Sequence, residues 1–162
     1  MYERLLVALD GSKAAEGVLE HVIALAGAFG SQVTVLRATD SPEVLLSQTS
    51  TAGPSIGDVA PAMDPMPILQ AEQTTADEYL KNVADRLRAR NVSVECEHRE
   101  GVASEVIVER AQALRVSLIL MTTHGRSGLG RVVFGSVADS VLRHATCPVL
   151  MVRISADDDT PA

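Results

Sequence analysis

Five segments of strand length, either apolar or alternating between apolar and polar residues, are separated by four segments whose apolar residues recur at helical spacing. The strand-like runs are Arg4 to Leu9, Gln32 to Ala38, Val92 to His98, Leu118 to Thr122 and Pro148 to Arg153. The helix-like segments are Lys13 to Phe29, capped by Ser12 and Gly30, then Thr75 to Arg90, Ala103 to Leu114 and Ser136 to Ala145. This alternation predicts an α/β fold with a five-stranded parallel doubly wound sheet and helices on both faces. We expect the strand order 3-2-1-4-5 of a flavodoxin-like three-layer sandwich.

One domain is expected over residues 1–154, because 162 residues with 46% hydrophobic content suit a single core. The segment from Asp40 to Gln70 holds five of the seven prolines among many Ser and Thr residues. It is predicted to be a flexible insertion without a regular element, forming a flap near the ligand crevice. Residues 155–162 are expected to be a disordered acidic tail.

Composition argues against several classes of protein. The formal net charge is -7, whereas a protein that grips nucleic acid or an anionic membrane needs a basic face. No apolar run reaches the length of a signal or transmembrane segment, so we expect a cytoplasmic protein. Cys96 and Cys147 lie in no CxxC or CxxH pattern, which indicates neither a zinc site nor a disulfide, and both are expected to be reduced and buried.

Two turn-rich stretches follow the strands that flank the predicted reversal of winding. "DGS" (Asp10, Gly11 and Ser12) follows strand one, and the glycine-rich "THGRSGLGRVVFGS" follows strand four and ends at Ser136. In a sheet of order 3-2-1-4-5, both stretches border the crevice where doubly wound folds bind ligands. The sequence therefore predicts a binding site between strands one and four.

The glycine-rich stretch has the chemistry of a phosphate site. Gly135 and Ser136 stand where helix four begins, and a helix N-terminus offers unpaired N–H groups and a positive dipole end. Gly125 and Gly128 allow the preceding loop to turn its own amides toward the same anion, and Arg126 supplies charge. For the arginine taken singly, a solvated loop side chain is the simpler interpretation.

Other interpretations remain open for single residues. Ser136 is also predicted to cap helix four, with Asp139 three residues on as in a capping box. Asp10 suits ribose or adenine contacts, or Mg²⁺ held through water, but a turn-forming Asp that caps helix one is common. His124 has no recognisable catalytic partner and is not assigned as a base.

The chain resembles the universal stress protein family. The resemblance rests on "VALDGS", on the Gly-x9-Gly-Ser spacing that ends at Ser136, and on the ending "GSVADSVLRHATCPVLMVR". ATP-binding members carry G-x2-G-x9-G-[S/T], and this chain matches three positions with Gly125, Gly135 and Ser136. Thr122 stands at the first position, where the family pattern has glycine.

The resemblance implies a set of nucleotide contacts and a ligand, ATP or another adenine nucleotide, assisted by Mg²⁺. It places Asp10 at the adenosine, the backbone around Ala38 at the adenine, and Met121 and Thr122 beside the base and ribose. The phosphates fall to Gly125, Gly135, Ser136 and Val137. Related domains also pair about a two-fold axis through the last strand, so a homodimer through Val149 to Val152 is expected.

Three functions remain open at this point. The first is a nucleotide-binding stress-response protein that senses or sequesters ATP, with at most slow hydrolysis. The second is a dimeric scaffold of the same family without nucleotide, which Thr122 favours. The third is a true enzyme on this fold, but the P-loop, the pyrophosphatase-type loop and an HxGH-like motif are absent from the sequence.

Overall fold

The computed structural model describes residues 1–39, 66–124 and 135–154. In chain order the elements are β1 (Arg4–Leu9), a 3-10 helix (Ala14–Val18), α1 (Leu19–Phe29), β2 (Gln32–Thr39), α2 (Met66–Ala89), β3 (Ser93–Glu100), α3 (Ala103–Ala113), β4 (Leu118–His124), α4 (Ser136–His144) and β5 (Val149–Ile154). Each predicted strand and helix has its counterpart among them.

All five strands join one parallel sheet in the order β3-β2-β1-β4-β5. The predicted fold class and strand order are thereby confirmed. The chain winds from β1 outward through β2 to β3, and then crosses back to the other side of β1 for β4 and β5. Outside the carboxyl ends of the strands, such a reversal leaves the crevice in which open α/β sheets bind ligands.

Each face of the sheet has its own apolar core. Leu5 and Val7 of β1 point to the face that α1 and α2 cover, while Leu6 points to the face that α3 and α4 cover. All three side chains are fully buried, because a parallel sheet covered on both faces buries successive residues alternately on its two sides. In the described part of the chain, no helix combines the length and the apolar character needed to cross a membrane.

The first helix is capped at both ends as predicted. Ser12 Oγ accepts a hydrogen bond from the Ala15 N–H at 3.1 Å, which caps the opening 3-10 turn. Gly30 adopts a left-handed conformation with φ 64° and donates its N–H to the Ala26 carbonyl at 2.8 Å. A glycine takes this conformation without the steric cost that a Cβ would bring.

The second helix begins earlier than its apolar pattern predicts. It starts at Met66 rather than Thr75, so the expectation that no regular element lies before Gln70 is wrong for its last five residues. Pro67 is the second residue of the helix, and in a first turn proline loses no intrahelical hydrogen bond and its fixed φ suits the helix. The remainder of the predicted insertion, residues 40–65, and the predicted tail, 155–162, lie outside the described residues.

The two cysteines are free thiols but not both buried. Cys96 is exposed and Cys147 half-buried, so the expectation of two buried cysteines is wrong. Cys96 lies on β3, an edge strand with a neighbour on one side only. Its Sγ donates to the Leu80 carbonyl at 3.4 Å, and partial burial raises the pKa of this thiol.

Leu120 tests the packing of the central strands. Its side chain is fully buried in the core under α1 and α2, so Leu120→Ala removes buried methyl groups and leaves a cavity. We expect a loss of about 2–5 kcal/mol in the free energy of unfolding, measured by urea denaturation. Leu142, 39% exposed on α4, is the control, and its replacement by alanine should change stability by about 0.5 kcal/mol or less. Equal losses in the two variants would contradict this description of the core.

Candidate functional site

The ladders of the sheet separate at the point where the winding reverses. The pairing of β1 with β4 stops at Val7 and Leu120. On its other side, β1 stays paired with β2 as far as Leu9 and Arg37, and β4 stays paired with β5 to its last residue. Beyond Val7 and Leu120 the two central strands are thus held only by their outer neighbours. The opening between them is the candidate site.

Asp10, Gly11 and Ser12 form a tight turn on the β1 side of this opening. Asp10 Oδ1 accepts a hydrogen bond from the Ser12 N–H at 2.8 Å, and Gly11 has a φ of 89°, a region that side chains rarely adopt. Asp10 therefore closes its own turn, while Ser12 caps the helix that follows. Asp10 also remains exposed, so forming the turn leaves its carboxylate open to solvent.

On the other side of the opening, β4 continues as a regular strand. Met121 is 6% exposed and packs in the core under α3 and α4. Thr122 is half-buried and pairs with Val152 of β5, and its φ is not positive. Thr123 is 5% exposed, and its Oγ1 has no hydrogen-bond partner. Threonine at position 122 is therefore a normal strand residue, without backbone strain.

The N-terminus of α4 differs in detail from its prediction. Gly135, with φ -60° and ψ 156°, is the N-cap, so the prediction that Ser136 caps this helix is wrong. The capping box with Asp139 is absent as well, because that carboxylate pairs instead with Arg143 one turn later, at 2.8 Å. A glycine N-cap has no side chain to occupy the amides of the first turn. Gly135, Ser136 and Val137 are all exposed, and an anion can approach this terminus.

The remaining predicted positions divide into two groups. Ala38 is half-buried near the end of β2, on the same face of the sheet as Leu36. Gly125, Arg126 and Gly128 lie outside the described residues. No group of three His, Cys, Asp or Glu side chains placed for a metal ion occurs within residues 1–39, 66–124 and 135–154.

Two residues near the opening do not follow from the predicted motifs. The guanidinium of Arg37 lies over the ring of Tyr79, 5.3 Å from its centroid. The Arg37 Nε and the Tyr79 hydroxyl are both buried without a hydrogen-bond partner. A charged residue within the otherwise apolar run "VTVLRA" was the available signal for Arg37. Tyr79 gives no such signal, because an aromatic residue on a helix face reads as core.

A second polar contact lies beyond Arg37 at the end of β2. Thr39 Oγ1 and His98 Nε2 are 2.8 Å apart, and His98 Nδ1 is 3.7 Å from the Asp77 carboxylate of α2. The contact links the ends of β2 and β3 to α2. Ala38 is thus flanked by two residues, Arg37 and Thr39, that both reach toward α2.

The electrostatic environment near the turn is mixed. Burial raises the pKa of Tyr79 to about 12, and the Glu16 and Asp10 carboxylates add to the increase, while Arg37 opposes it. Of these charged groups, Arg37 is in contact with the Tyr79 ring, at 5.3 Å from its centroid. The charges of the turn after β1 and of the end of β2 thus both act on the Tyr79 phenol of α2.

Comparison with known proteins identifies the family. The family model described as the universal stress protein family matches residues 1–153. A relative named universal stress protein MJ0531, from Methanocaldococcus jannaschii, is 30% identical over 94% of this chain and 83% of its own length. The chain therefore belongs to the universal stress protein family.

Solved structures agree with the fold. The structure of hypothetical protein MJ0577 covers 96% of this chain and 99% of its own, with a TM-score of 0.75 and 24% identity. A universal stress protein in complex with cAMP has a TM-score of 0.62 at 20% identity, covering 95% of this chain and 98% of its own. One from Archaeoglobus fulgidus in complex with dAMP has a TM-score of 0.63 at 20% identity, covering 93% and 97%.

The raised pKa of Tyr79 leads to a test at alkaline pH. Between the ordinary tyrosine pKa of 10.0 and about 12, the unfolded phenol loses its proton while the folded one keeps it. The folded state then binds more protons, so stability falls as the pH rises through this range. With Tyr2→Phe as the background, Tyr79 is the single tyrosine. Urea unfolding at several alkaline pH values should show this decline, and Tyr79→Phe should flatten it.

The absorbance of the phenolate provides the check in the same background. In the folded protein, Tyr79 should ionise at a higher pH than a free tyrosine, near its raised pKa of about 12. Formation of the phenolate at the ordinary tyrosine pKa in the folded protein would contradict the burial of the Tyr79 hydroxyl.

Proposed function

We propose that this universal stress protein binds ATP or another adenine nucleotide in the opening between β1 and β4 and acts as a stress-response sensor or regulator. The observation that carries the proposal is the separation of the central ladders beyond Val7 and Leu120. An exposed carboxylate turn, at Asp10, lies on one side of this opening. On the other side, β4 leads toward an exposed helix N-terminus with a glycine cap, at Gly135.

The adenosine end of the ligand is assigned to the strand ends. Asp10 accepts hydrogen bonds from the ribose or the adenine amine, and its exposure makes it available for them. The backbone around Ala38 contacts the adenine, and Met121 and Thr122 lie beside the base and ribose. The Met121 side chain is packed in the core, so its share of the site is backbone. Gly11 and Ser12 complete the turn that presents Asp10.

The phosphates are assigned to the start of α4. The amides of Ser136 and Val137 open the helix after a glycine N-cap, and a helix N-terminus favours an anion through both these donors and its dipole. Gly125, Arg126 and Gly128 belong to the proposed phosphate site on the ground of their sequence pattern. Mg²⁺ enters with the phosphates, since proteins usually bind this ion by one or two carboxylates together with substrate phosphates.

Thr122 adds no backbone strain to the proposed site. A threonine that replaced a glycine of positive φ would be strained, but here it occupies a regular strand position paired with Val152. The departure from the glycine of the family pattern therefore has no backbone cost. The relatives solved with cAMP and dAMP add support for an adenine nucleotide as ligand.

Two measurements test the proposal directly. Mass spectrometry of small molecules released from denatured purified protein should detect an adenine nucleotide. Calorimetry on ligand-free protein should give an affinity for ATP in the micromolar range, because each helix-dipole contact contributes only ~0.3–1 kcal/mol and many weak donors act together. The absence of both a co-purified adenine nucleotide and measurable ATP binding would contradict the proposal.

Gly135→Val tests the phosphate site. Its backbone conformation is one that valine adopts, and an added Cβ has open space around it, so the fold should persist. The branched side chain should abolish ATP binding in calorimetry by occupying the place of the phosphates. Gly27→Val is the matched control, since Gly27 also has open space around it and lies in α1. Unchanged ATP affinity in Gly135→Val would remove α4 from the site.

A homodimer through β5 is the second part of the proposal. This strand lies at the edge of the sheet, and its side chains from Val149 to Val152 are only half-buried on both faces. Leu150 and Val152 pack against the core under α1 and α2, and Val149 and Met151 against the core under α3 and α4. An apolar edge of this kind is a template for pairing with a second chain.

Sedimentation at micromolar concentration tests the dimer. The protein should sediment as a dimer, and Met151→Lys should shift it to a monomer because a charge is placed at the paired edge. Arg88, 54% exposed on α2, provides the control, and Arg88→Glu should leave the dimer intact. A monomeric wild-type protein would refute the pairing outright.

A further inference from the structure

Arg37 supports the turn after β1 from behind. It pairs in register with Leu9, the residue before Asp10, and its guanidinium lies against the α-carbon of Gly11. A Cβ placed on Gly11 would stand 2.8 Å from both Cζ and Nη2 of Arg37, and 3.2 Å from Nε. Real Cβ atoms essentially never approach another atom this closely, so the contact depends on a glycine at position 11.

The same guanidinium also contacts α2. Its Cζ lies 5.3 Å from the centroid of the Tyr79 ring, and Nη1 makes only a long contact of 3.5 Å with the Thr75 carbonyl. Within the described part of the chain, Arg37 forms no salt bridge. Among the described residues, the guanidinium is thus in contact with Gly11, the Tyr79 ring and the Thr75 carbonyl.

We propose that Arg37 is a positioning residue, which holds the turn of Asp10, Gly11 and Ser12 in its binding conformation and connects that turn to α2 through Tyr79. The proposal rests on the proposed function, because the turn presents Asp10 to the nucleotide. It adds a residue that touches the turn and not the ligand. Binding of a ligand in the opening then changes the environment of the Tyr79 ring.

The shape of the guanidinium explains why arginine suits this role. A planar guanidinium offers a broad surface for contact with an aromatic ring and with a glycine backbone, whereas a lysine ammonium is a compact charge on a flexible stem. Gly11 is free to adopt many conformations unless its surroundings restrict it. Without the guanidinium behind it, the turn would have to be ordered by the ligand itself, and this ordering would weaken binding.

The test compares three variants by ATP calorimetry. Arg37→Met removes both charge and plane, Arg37→Lys keeps the charge alone, and Arg90→Met is the control. Arg90 follows the last residue of α2, and its charge is 57% exposed and 3.9 Å from Glu20. We expect roughly tenfold weaker ATP binding in both Arg37 variants, comparable with the loss of a partly desolvated cation–π contact, and no change in the control. Wild-type affinity in Arg37→Lys would overturn positioning by the plane.

Measurements without nucleotide separate this proposal from the proposed function. In ligand-free protein, Arg37→Met and Arg37→Lys should shift the NMR amide signals of Gly11 and Ser12, and Arg90→Met should not. Unshifted signals in both Arg37 variants would overturn the proposal, whatever the protein binds. If they shift but wild-type protein does not bind ATP, the proposed function fails while the support of the turn by Arg37 stands.

A double-mutant cycle tests the contact between Arg37 and Gly11. With Tyr2→Phe as background, the fluorescence of the chain comes from Tyr79 alone, since it has no tryptophan. Gly11→Ala should displace the guanidinium and change this fluorescence as Arg37→Met does. Gly11→Ala also strains the turn itself, because alanine rarely adopts a φ of 89°. Its effect on the fluorescence of Tyr79 should nevertheless be smaller in the Arg37→Met background than with Arg37 present. Independent and additive effects of the two substitutions would contradict the contact.

Discussion

The separation of β1 from β4 beyond Val7 and Leu120 is the constraint on which the candidate site depends. A parallel sheet satisfies its backbone groups by pairing with neighbours, and at this one place both central strands rely on their outer neighbours alone. The reversal of winding carries α1 and α4 to opposite faces of the sheet, so neither of these two helices crosses the opening from β1 to β4. Strand pairing thus creates the opening, and the turn after β1 and the start of α4 carry the polar groups proposed to bind the ligand.

Strands and helices with regularly spaced apolar residues could be predicted from the sequence. The exact ends of the helices, which depend on one or two local contacts, could not. The five strands and the sheet order follow from alternation and length, because burial on both faces of the sheet requires apolar runs. The early start of α2 does not follow, since Pro67 reads as a helix breaker when its distance from the helix start is unknown. The missing capping box of α4 does not follow either, because the spacing of Asp139 suits both a capping box with Ser136 and an ion pair with Arg143, and the ion pair is formed.

The place of the candidate site in the fold could be predicted from the sequence, but the side-chain contacts around it could not. Its turn residues follow from "DGS" and from the glycine spacing, because tight turns and close approach of an anion both favour glycine. Arg37 and Tyr79 meet only in the folded chain, 42 positions apart in the sequence (79 minus 37). Packing of α2 on β2 brings these two residues together, and pairing of β2 with β1 brings Arg37 beside the turn at Gly11. Neither arrangement leaves a local motif.

The end of β2 is where the site and α2 meet. Alternation along the strand directs Arg37 and Thr39 to the face of α2, while Ala38 faces the other side. Arg37 reaches Tyr79, and Thr39 reaches His98, which in turn stands near Asp77 of α2. The backbone assigned to the adenine is therefore held between two contacts with one helix. A ligand that displaced this strand end would have to move both contacts, so the middle of α2 is the part of the chain best placed to respond to occupancy of the opening.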